Sequence, residues 1–152
     1  CGKTTLGKEL AKAAGRGFVD LDDEIVRRAG KSIPEIFAEE GEEAFRQRET
    51  EALRTLSGQE NLVVACGGGT ILRALMRETG RVLLNDRPLS RILSDITYDG
   101  RPVIAGGEEK LRRVYAERYT LYRKTCDVRL ENTFRNAKTA ARAAKRLLWP
   151  EL

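Results

Sequence analysis

Two short runs of apolar residues constrain the fold of this chain more than any other feature of its sequence. Residues 62–65 (Leu-Val-Val-Ala) form one uninterrupted apolar run, and residues 81–84 form a second one after a single arginine. A strand that is apolar at every position is buried on both faces, which is typical of parallel sheets covered by helices. The two runs therefore predict an α/β protein with buried parallel strands.

Helical patterns alternate with these runs and with two further short strands, at residues 18–20 and 128–130. Ser32 and Glu35 form a capping box that starts a short helix through Phe37. Residues 97–107 contain three glycines and a proline, and they are predicted to form a mobile loop. The other helices are predicted at residues 4–14, 22–29, 42–57, 71–79, 88–95, 108–125 and 137–148.

The composition excludes several classes of chemistry. The chain has no histidine, which excludes Ser-His-Asp and Cys-His catalysis and imidazole metal ligands. Its three cysteines fit neither a disulfide framework nor a zinc site, and we expect a cytoplasmic protein. The 152 residues suit a single domain, and no apolar run reaches the roughly 18 residues that a membrane span needs. The net charge of +5 suits anionic ligands such as phosphates, carboxylates or nucleic acid.

The segment Gly2-Lys3-Thr4-Thr5, at the start of a predicted helix, is the second half of a Walker A loop. Backbone N–H groups at a helix start point at phosphate oxygens, Lys3 would reach the β- and γ-phosphates, and the Thr4 hydroxyl would bind Mg²⁺. A surface turn that caps a helix is the alternative for so short a segment. The first glycine of the motif and its preceding strand are not in the sequence, so we expect about ten or more residues upstream.

Asp20 and Asp22 follow the predicted strand at residues 18–20. Ligands of open α/β sheets bind at the carboxyl ends of the strands, and alternation along the chain directs both side chains to the same side. One carboxylate would then meet Mg²⁺ and the other a substrate hydroxyl. The alternative is a helix N-cap, since aspartate is favoured there.

Three arginines and a glycine triplet are further candidate ligand groups. Arg46 stands three residues before Glu49, which would hold its guanidinium for a carboxylate ligand. Gly67-Gly68-Gly69 follows a buried strand and would let a ligand press against bare backbone. Arg101 lies in the glycine-rich loop, where it would stabilise a transferring phosphate, and Arg118 lies on a helix. For Arg46 and Arg118 alone, a solvated surface charge remains the alternative, and for Arg101 it is an ordinary polar loop.

In this order, the motifs resemble those of the shikimate kinase family over residues 2–136. The resemblance implies a three-layer αβα fold with a parallel sheet, of the P-loop nucleoside triphosphate hydrolase type, similar to nucleoside monophosphate kinases. It also implies a substrate-binding segment at about residues 21–50 and a lid at about residues 97–107. The matching segments are Gly2-Lys3-Thr4-Thr5, Asp20-Leu21-Asp22, residues 32–37, residues 41–49, Gly67-Gly68-Gly69, Arg101-Pro102 and residues 117–122.

The resemblance also implies a role for each candidate residue. The residues that resemble the family's catalytic residues are Lys3, Asp22 and Arg101. Asp22 resembles the one that holds the substrate hydroxyls. ATP binding is assigned to the P-loop residues together with Arg101 and Arg135. Arg135 resembles the residue that packs on adenine. The residues that resemble ATP-binding groups are Gly2, Lys3, Thr4, Thr5, Arg101 and Arg135; those that resemble shikimate-binding groups are Asp22, Arg46, Gly67, Gly68, Gly69 and Arg118; those that resemble metal-side groups are Thr4 and Asp20.

The resemblance therefore implies transfer of the γ-phosphate of ATP to the 3-hydroxyl of shikimate, with Mg²⁺, in the pathway to chorismate and the aromatic amino acids. We expect a monomer that binds neither nucleic acid nor membranes. Besides an inactive truncated homologue, two alternative functions stay open at this point. One is another P-loop small-molecule kinase, such as a gluconate kinase type, and the other is a basic nucleic-acid-binding module, although aromatic residues make up only 6% of the chain.

Overall fold

Four short strands alternate with helices along the chain in the computed structural model, which describes residues 2–70, 75–95 and 107–152. This alternation confirms the predicted α/β class. The strands are β1 (Gly17–Asp20), β2 (Leu62–Ala65), β3 (Leu83–Asp86) and β4 (Val128–Glu131). The helices are α1 (Lys3–Ala14), α2 (Leu21–Ala29), α3 (Ile33–Ser57), α4 (Leu75–Thr79), α5 (Leu89–Asp95), α6 (Gly107–Thr125) and α7 (Ala137–Leu148).

The strands form two parallel pairs. β1 pairs with β2 over the full length of both strands, and β3 pairs with β4 in the same way. The predicted strand at residues 81–84 is wrong by two residues, because β3 begins at Leu83. Val82 lies just outside the ladder: its N–H donates to the side chain of Asp127, at 2.7 Å, and its carbonyl accepts from the Asp127 and Val128 amides.

Helices cover both faces of the strands, and β2 demonstrates this most directly. Val63 packs against the apolar cluster of α1, α7 and β4, whereas its neighbours Leu62 and Val64 pack against the cluster of α2 and α3. Successive strand residues point to opposite faces. The strands therefore form the middle of three layers, as the αβα prediction requires. No helix within the described residues is long and apolar enough to cross a membrane.

A cavity of about 640 Å³ separates the two strand pairs and is lined by every residue of β2 and β3. Leu6 and Leu10 of α1 also line it. Among the described residues, β2 pairs only with β1 and β3 only with β4, so each strand has one edge that faces this cavity. Buried backbone N–H and C=O groups ordinarily have hydrogen-bond partners. We refer to this cavity below as the slot.

The start and the interior of α3 both follow from local sequence. The Ser32 hydroxyl accepts from the Glu35 amide, and the Glu35 carboxylate accepts from the Ser32 amide at 2.7 Å, which confirms the capping box. Gly41 has φ 86° and ψ 174°, so the helix is broken there. The predicted boundary between a short and a long helix is therefore confirmed, although the first helical stretch continues beyond Phe37 to this glycine.

Candidate active site

Asp20 joins the start of α1 to the start of α2. The Thr4 hydroxyl donates to Asp20 Oδ2 at 2.6 Å, and the Asp22 amide donates to Asp20 Oδ1 at 3.1 Å. Asp20 is therefore the N-cap of α2, as the alternative interpretation predicted, and it also contacts the P-loop helix. Lys3 and Thr5 lie exposed in the first turn of the same helix, and this first turn contains no acidic residue.

Asp22 lies half-buried in the first turn of α2. Burial raises the pKa of this carboxyl above its usual range, and the nearby carboxylates of Asp20 and Glu49 raise it further. The positive charge of Lys3 acts in the opposite direction. A carboxylate whose pKa is raised is a stronger base than an ordinary aspartate, so Asp22 is suited to accept a proton or to orient a hydroxyl.

The glycine triplet is the point at which the other candidate groups meet. A Cβ atom placed on Gly67 would lie 3.4 Å from Asp22 Oδ1, and one placed on Gly68 would lie 3.5 Å from Arg118 Nη1. A Cβ atom on Gly69 would lie 2.6 Å from Arg46 Nη2. The structure thus brings together side chains from α2, α3 and α6 around bare backbone.

Arg46 is held by a buried carboxylate. Its Nη1 donates to Glu49 at 3.1 Å and its Nη2 to Glu42 at 3.3 Å. Glu49 is only 1% exposed, and its other oxygen accepts from the hydroxyl of the fully buried Thr70. The sequence predicted the pairing of Arg46 with Glu49, but it did not predict the burial of Glu49 or the contact with Thr70. The only sequence signal for Thr70 is its position directly after the glycine triplet.

A tyrosine connects α6 to the glycine triplet. The Tyr122 hydroxyl donates to the carbonyl of Gly68 at 2.8 Å, and Arg118 lies one turn earlier on the same helix. The sequence placed Tyr122 only in the segment at residues 117–122 that resembles a family motif, with no partner predicted for its hydroxyl. The sequence placed Arg118 only on a helix, and the structure brings it beside Gly68.

Two other predicted site residues are Arg101 and Arg135. Arg101 and nearly all of the predicted lid lie outside the described residues. Arg135 is exposed in the connection between β4 and α7, one residue before the Asn136 side chain that caps α7. Within the described part of the chain, no hydrogen bond links Arg135 to the other candidate residues.

Cysteine chemistry is not suited to this site. Burial raises the pKa of the Cys66 thiol to about 12, and the carboxylates of Glu49, Asp20 and Asp22 act in the same direction. The thiol therefore stays neutral near pH 7 and is a poor nucleophile.

The oxygen donors of Thr4 and Asp20 fit a magnesium ion. Mg²⁺ prefers oxygen ligands and is ordinarily held by one or two protein groups together with substrate phosphates and waters. The described residues contain no group of three or more His, Cys, Asp or Glu side chains that could hold a metal alone. A hydroxyl and a carboxylate, 2.6 Å apart at the start of α1, are the donor set that such a shared site requires.

The family model described as shikimate kinase matches residues 1–148 of the chain. The chain belongs to the shikimate kinase family. It is 41% identical to the shikimate kinase of Nitrosomonas europaea, over 90% of this chain and 68% of that protein. It is 38% identical to a shikimate kinase of Clostridium botulinum, over 83% of this chain and 78% of that protein.

Solved structures of shikimate kinases agree with this assignment. The structure of shikimate kinase from Acinetobacter baumannii in complex with shikimate has a TM-score of 0.85 and 38% identity, over 95% of this chain and 85% of that chain. The enzyme from Bacteroides thetaiotaomicron has a TM-score of 0.82 and 26% identity, over 95% and 90%. This chain is accordingly an ATP-dependent kinase that acts on an alcohol group, and its fold is the predicted P-loop αβα fold.

Proposed function

We propose that this chain transfers the γ-phosphoryl group of ATP to the 3-hydroxyl of shikimate, and that the residues around the glycine triplet bind the acceptor. The observation that carries the proposal is the convergence of Asp22, Arg46 and Arg118 on Gly67-Gly68-Gly69. These three side chains come from three different helices, so their meeting at one loop is a property of the tertiary fold.

Arg46 and Arg118 bind the carboxylate of shikimate in this proposal. A guanidinium presents a planar fork of donors that matches a carboxylate, and such charge-assisted bonds are shorter and stronger than neutral ones. Arg46 keeps its orientation because Glu49 is buried and holds it in place. The bare backbone of Gly68 and Gly69 lets the ring of the acceptor approach between the two guanidinium groups.

Asp22 orients the 3-hydroxyl and accepts its proton. Phosphoryl transfer depends mainly on positioning and on neutralising charge, and the raised pKa of Asp22 makes it a better base near neutral pH. Its position beside Gly67 places it at the end of the site that is nearest to Lys3 and Thr4.

The start of α1 binds the phosphates of ATP. The backbone amides after Gly2 and the side chains of Lys3 and Thr5 would contact phosphate oxygens, and Thr4 and Asp20 would hold Mg²⁺. The bound metal supplies charge neutralisation on the phosphates.

Arg101 and Arg135 have separate roles in the proposal. Arg101 of the lid segment, residues 97–107, neutralises charge on the transferring phosphoryl group, and Arg135 packs on adenine. The segment at residues 21–50 binds the acceptor, because it contains both Asp22 and Arg46.

A fifth strand, parallel to β2 and β3, fills the slot. Both strands present an edge to it, and the apolar lining matches a strand that is buried on both faces. In a parallel sheet such a strand would end at the edge where α1 begins, as a P-loop requires. Hydrogen exchange of the natural chain tests this: we expect the slot-facing amides of β2 and β3 to be protected, and exchange as fast as in exposed loops would contradict it.

The test of the reaction is ADP release by the natural chain with ATP, Mg²⁺ and a panel of acceptors. We expect release that depends on shikimate, with gluconate inactive as acceptor. Turnover with gluconate but not with shikimate would contradict shikimate as the acceptor. The absence of turnover with shikimate would contradict the proposal as a whole. The gluconate kinase and nucleic-acid-binding alternatives are not favoured, because the chain belongs to the shikimate kinase family.

A further inference from the structure

Helix α6 carries Arg118, yet none of its described side chains is fully buried. Two tyrosine hydroxyls connect it to the rest of the molecule. Tyr119 donates to Asp86 Oδ2 at 2.9 Å, and Tyr122 donates to the carbonyl of Gly68 at 2.8 Å. A helix without a deeply buried apolar side chain depends more on such polar contacts for its position.

The bond from Tyr122 ends on Gly68, the same residue that Arg118 faces. A Cβ atom on Gly68 would lie 3.2 Å from the Tyr122 hydroxyl and 3.5 Å from Arg118 Nη1. The two side chains are four residues apart on α6 and therefore share one face of the helix. The hydroxyl thus lies between the helix turn that carries Arg118 and the glycine triplet.

The bond also determines the orientation of the peptide that joins Gly68 to Gly69. A trans peptide is planar, so its carbonyl and the following N–H point in opposite directions. When Tyr122 holds the Gly68 carbonyl, the Gly69 N–H is directed away from α6. Two successive glycines have no Cβ atoms to restrict rotation of this peptide, so a single hydrogen bond to it has a large effect on its orientation.

We propose that Tyr122 is a positioning residue of the acceptor site, which through one hydroxyl fixes both the Gly68–Gly69 peptide and the turn of α6 that carries Arg118. The inference rests on the proposed function, because it concerns the site in which shikimate is bound. Tyr122 does not touch the reacting atoms. It acts through Gly68 and Arg118, so its loss affects the binding of the acceptor and leaves the nucleotide site intact.

The test is Tyr122→Phe in the natural chain, which removes only the hydroxyl. We expect the KM for shikimate to rise about two- to tenfold, in line with the loss of one neutral hydrogen bond, with the KM for ATP unchanged. The matched control is Tyr119→Phe, which removes the other hydroxyl of the same helix. Asp86 keeps Arg129 as a partner and lies away from the glycine triplet, so we expect the shikimate KM to rise less than in Tyr122→Phe and the KM for ATP to stay at the wild-type level.

A double-variant cycle separates positioning from general loosening of the helix. If Tyr122 acts through Arg118, the two substitutions are not independent. The fold-increase in the shikimate KM of the double variant is then smaller than the product of the fold-increases in Tyr122→Phe and Arg118→Lys. Two results would overturn the inference: an unchanged shikimate KM in Tyr122→Phe, or equal increases in Tyr119→Phe and Tyr122→Phe. Failure of the proposed function itself is distinct, since wild-type protein would then release no ADP in response to shikimate.

Discussion

The substitution Gly69→Ala tests whether the bare backbone of the glycine triplet is needed to place Arg46. The new Cβ would lie 2.6 Å from Arg46 Nη2 and 2.8 Å from Cζ. Nonbonded carbon atoms are in ordinary contact at about 3.5–4.0 Å, so the guanidinium must withdraw by roughly 1 Å. The group that moves is the end of a flexible side chain, so we expect the substitution to affect shikimate binding much more than folding.

The size of the effect follows from what the displaced guanidinium does. A charge-assisted hydrogen bond contributes about 1.5–3 kcal/mol, which corresponds to a loss of affinity of roughly 10- to 100-fold. A coupled assay of ADP release measures the KM values for shikimate and ATP, and we expect only the shikimate value to rise by this factor. The matched control is Gly80→Ala, because a Cβ atom there meets nothing within 4 Å. An unchanged shikimate KM in Gly69→Ala would refute the placement of Arg46 beside the acceptor.

Two other substitutions separate catalysis from stability. Asp22→Asn should lower kcat by about 10²–10⁴-fold as the base is lost. Because the pKa of Asp22 is raised in the folded state, its charge opposes folding at neutral pH. At neutral pH the Asp22→Asn variant should therefore melt at a higher temperature than the wild type. A lower melting temperature would contradict the burial of this charge. For the same reason, the acid side of the wild-type pH–kcat profile should fall at a pH above the ordinary aspartate value of 3.8, and a midpoint at or below it would argue against Asp22 as the base. Thr70→Val deprives the buried Glu49 of a hydrogen bond, so urea unfolding should report a loss of about 1–3 kcal/mol, whereas unchanged stability would mean that Thr70 and Glu49 do not interact in solution.

The layered fold was predictable because its signals are local. The apolar run at residues 62–65 coincides with β2, and the capping box at Ser32 starts α3 where expected. The strand β3 was misplaced because its start is set by pairing with β4 and by the side chain of Asp127, which binds the Val82 amide from 45 positions further along the chain. Local hydrophobicity contains no information on such a partner.

The candidate site was predictable to the level of motifs, whereas its internal contacts were not. Arg46, Arg118 and the glycine triplet were identified as separate features, and their proximity results from the packing of α3 and α6 around the end of β2. The Tyr122 hydroxyl finds its acceptor 54 residues earlier in the chain, on a glycine carbonyl. A tyrosine on an amphipathic helix gives no sequence signal for such a partner, because packing of its ring is the ordinary outcome.

The most direct test of the central claim compares the binding of shikimate and of its methyl ester to the natural chain by calorimetric titration. The ester keeps the ring and the hydroxyls but lacks the negative charge that Arg46 and Arg118 are proposed to bind. We expect the ester to bind at least about tenfold more weakly than shikimate, as the loss of a charge-assisted contact requires. Equal affinities for the two compounds would contradict carboxylate recognition at the glycine triplet.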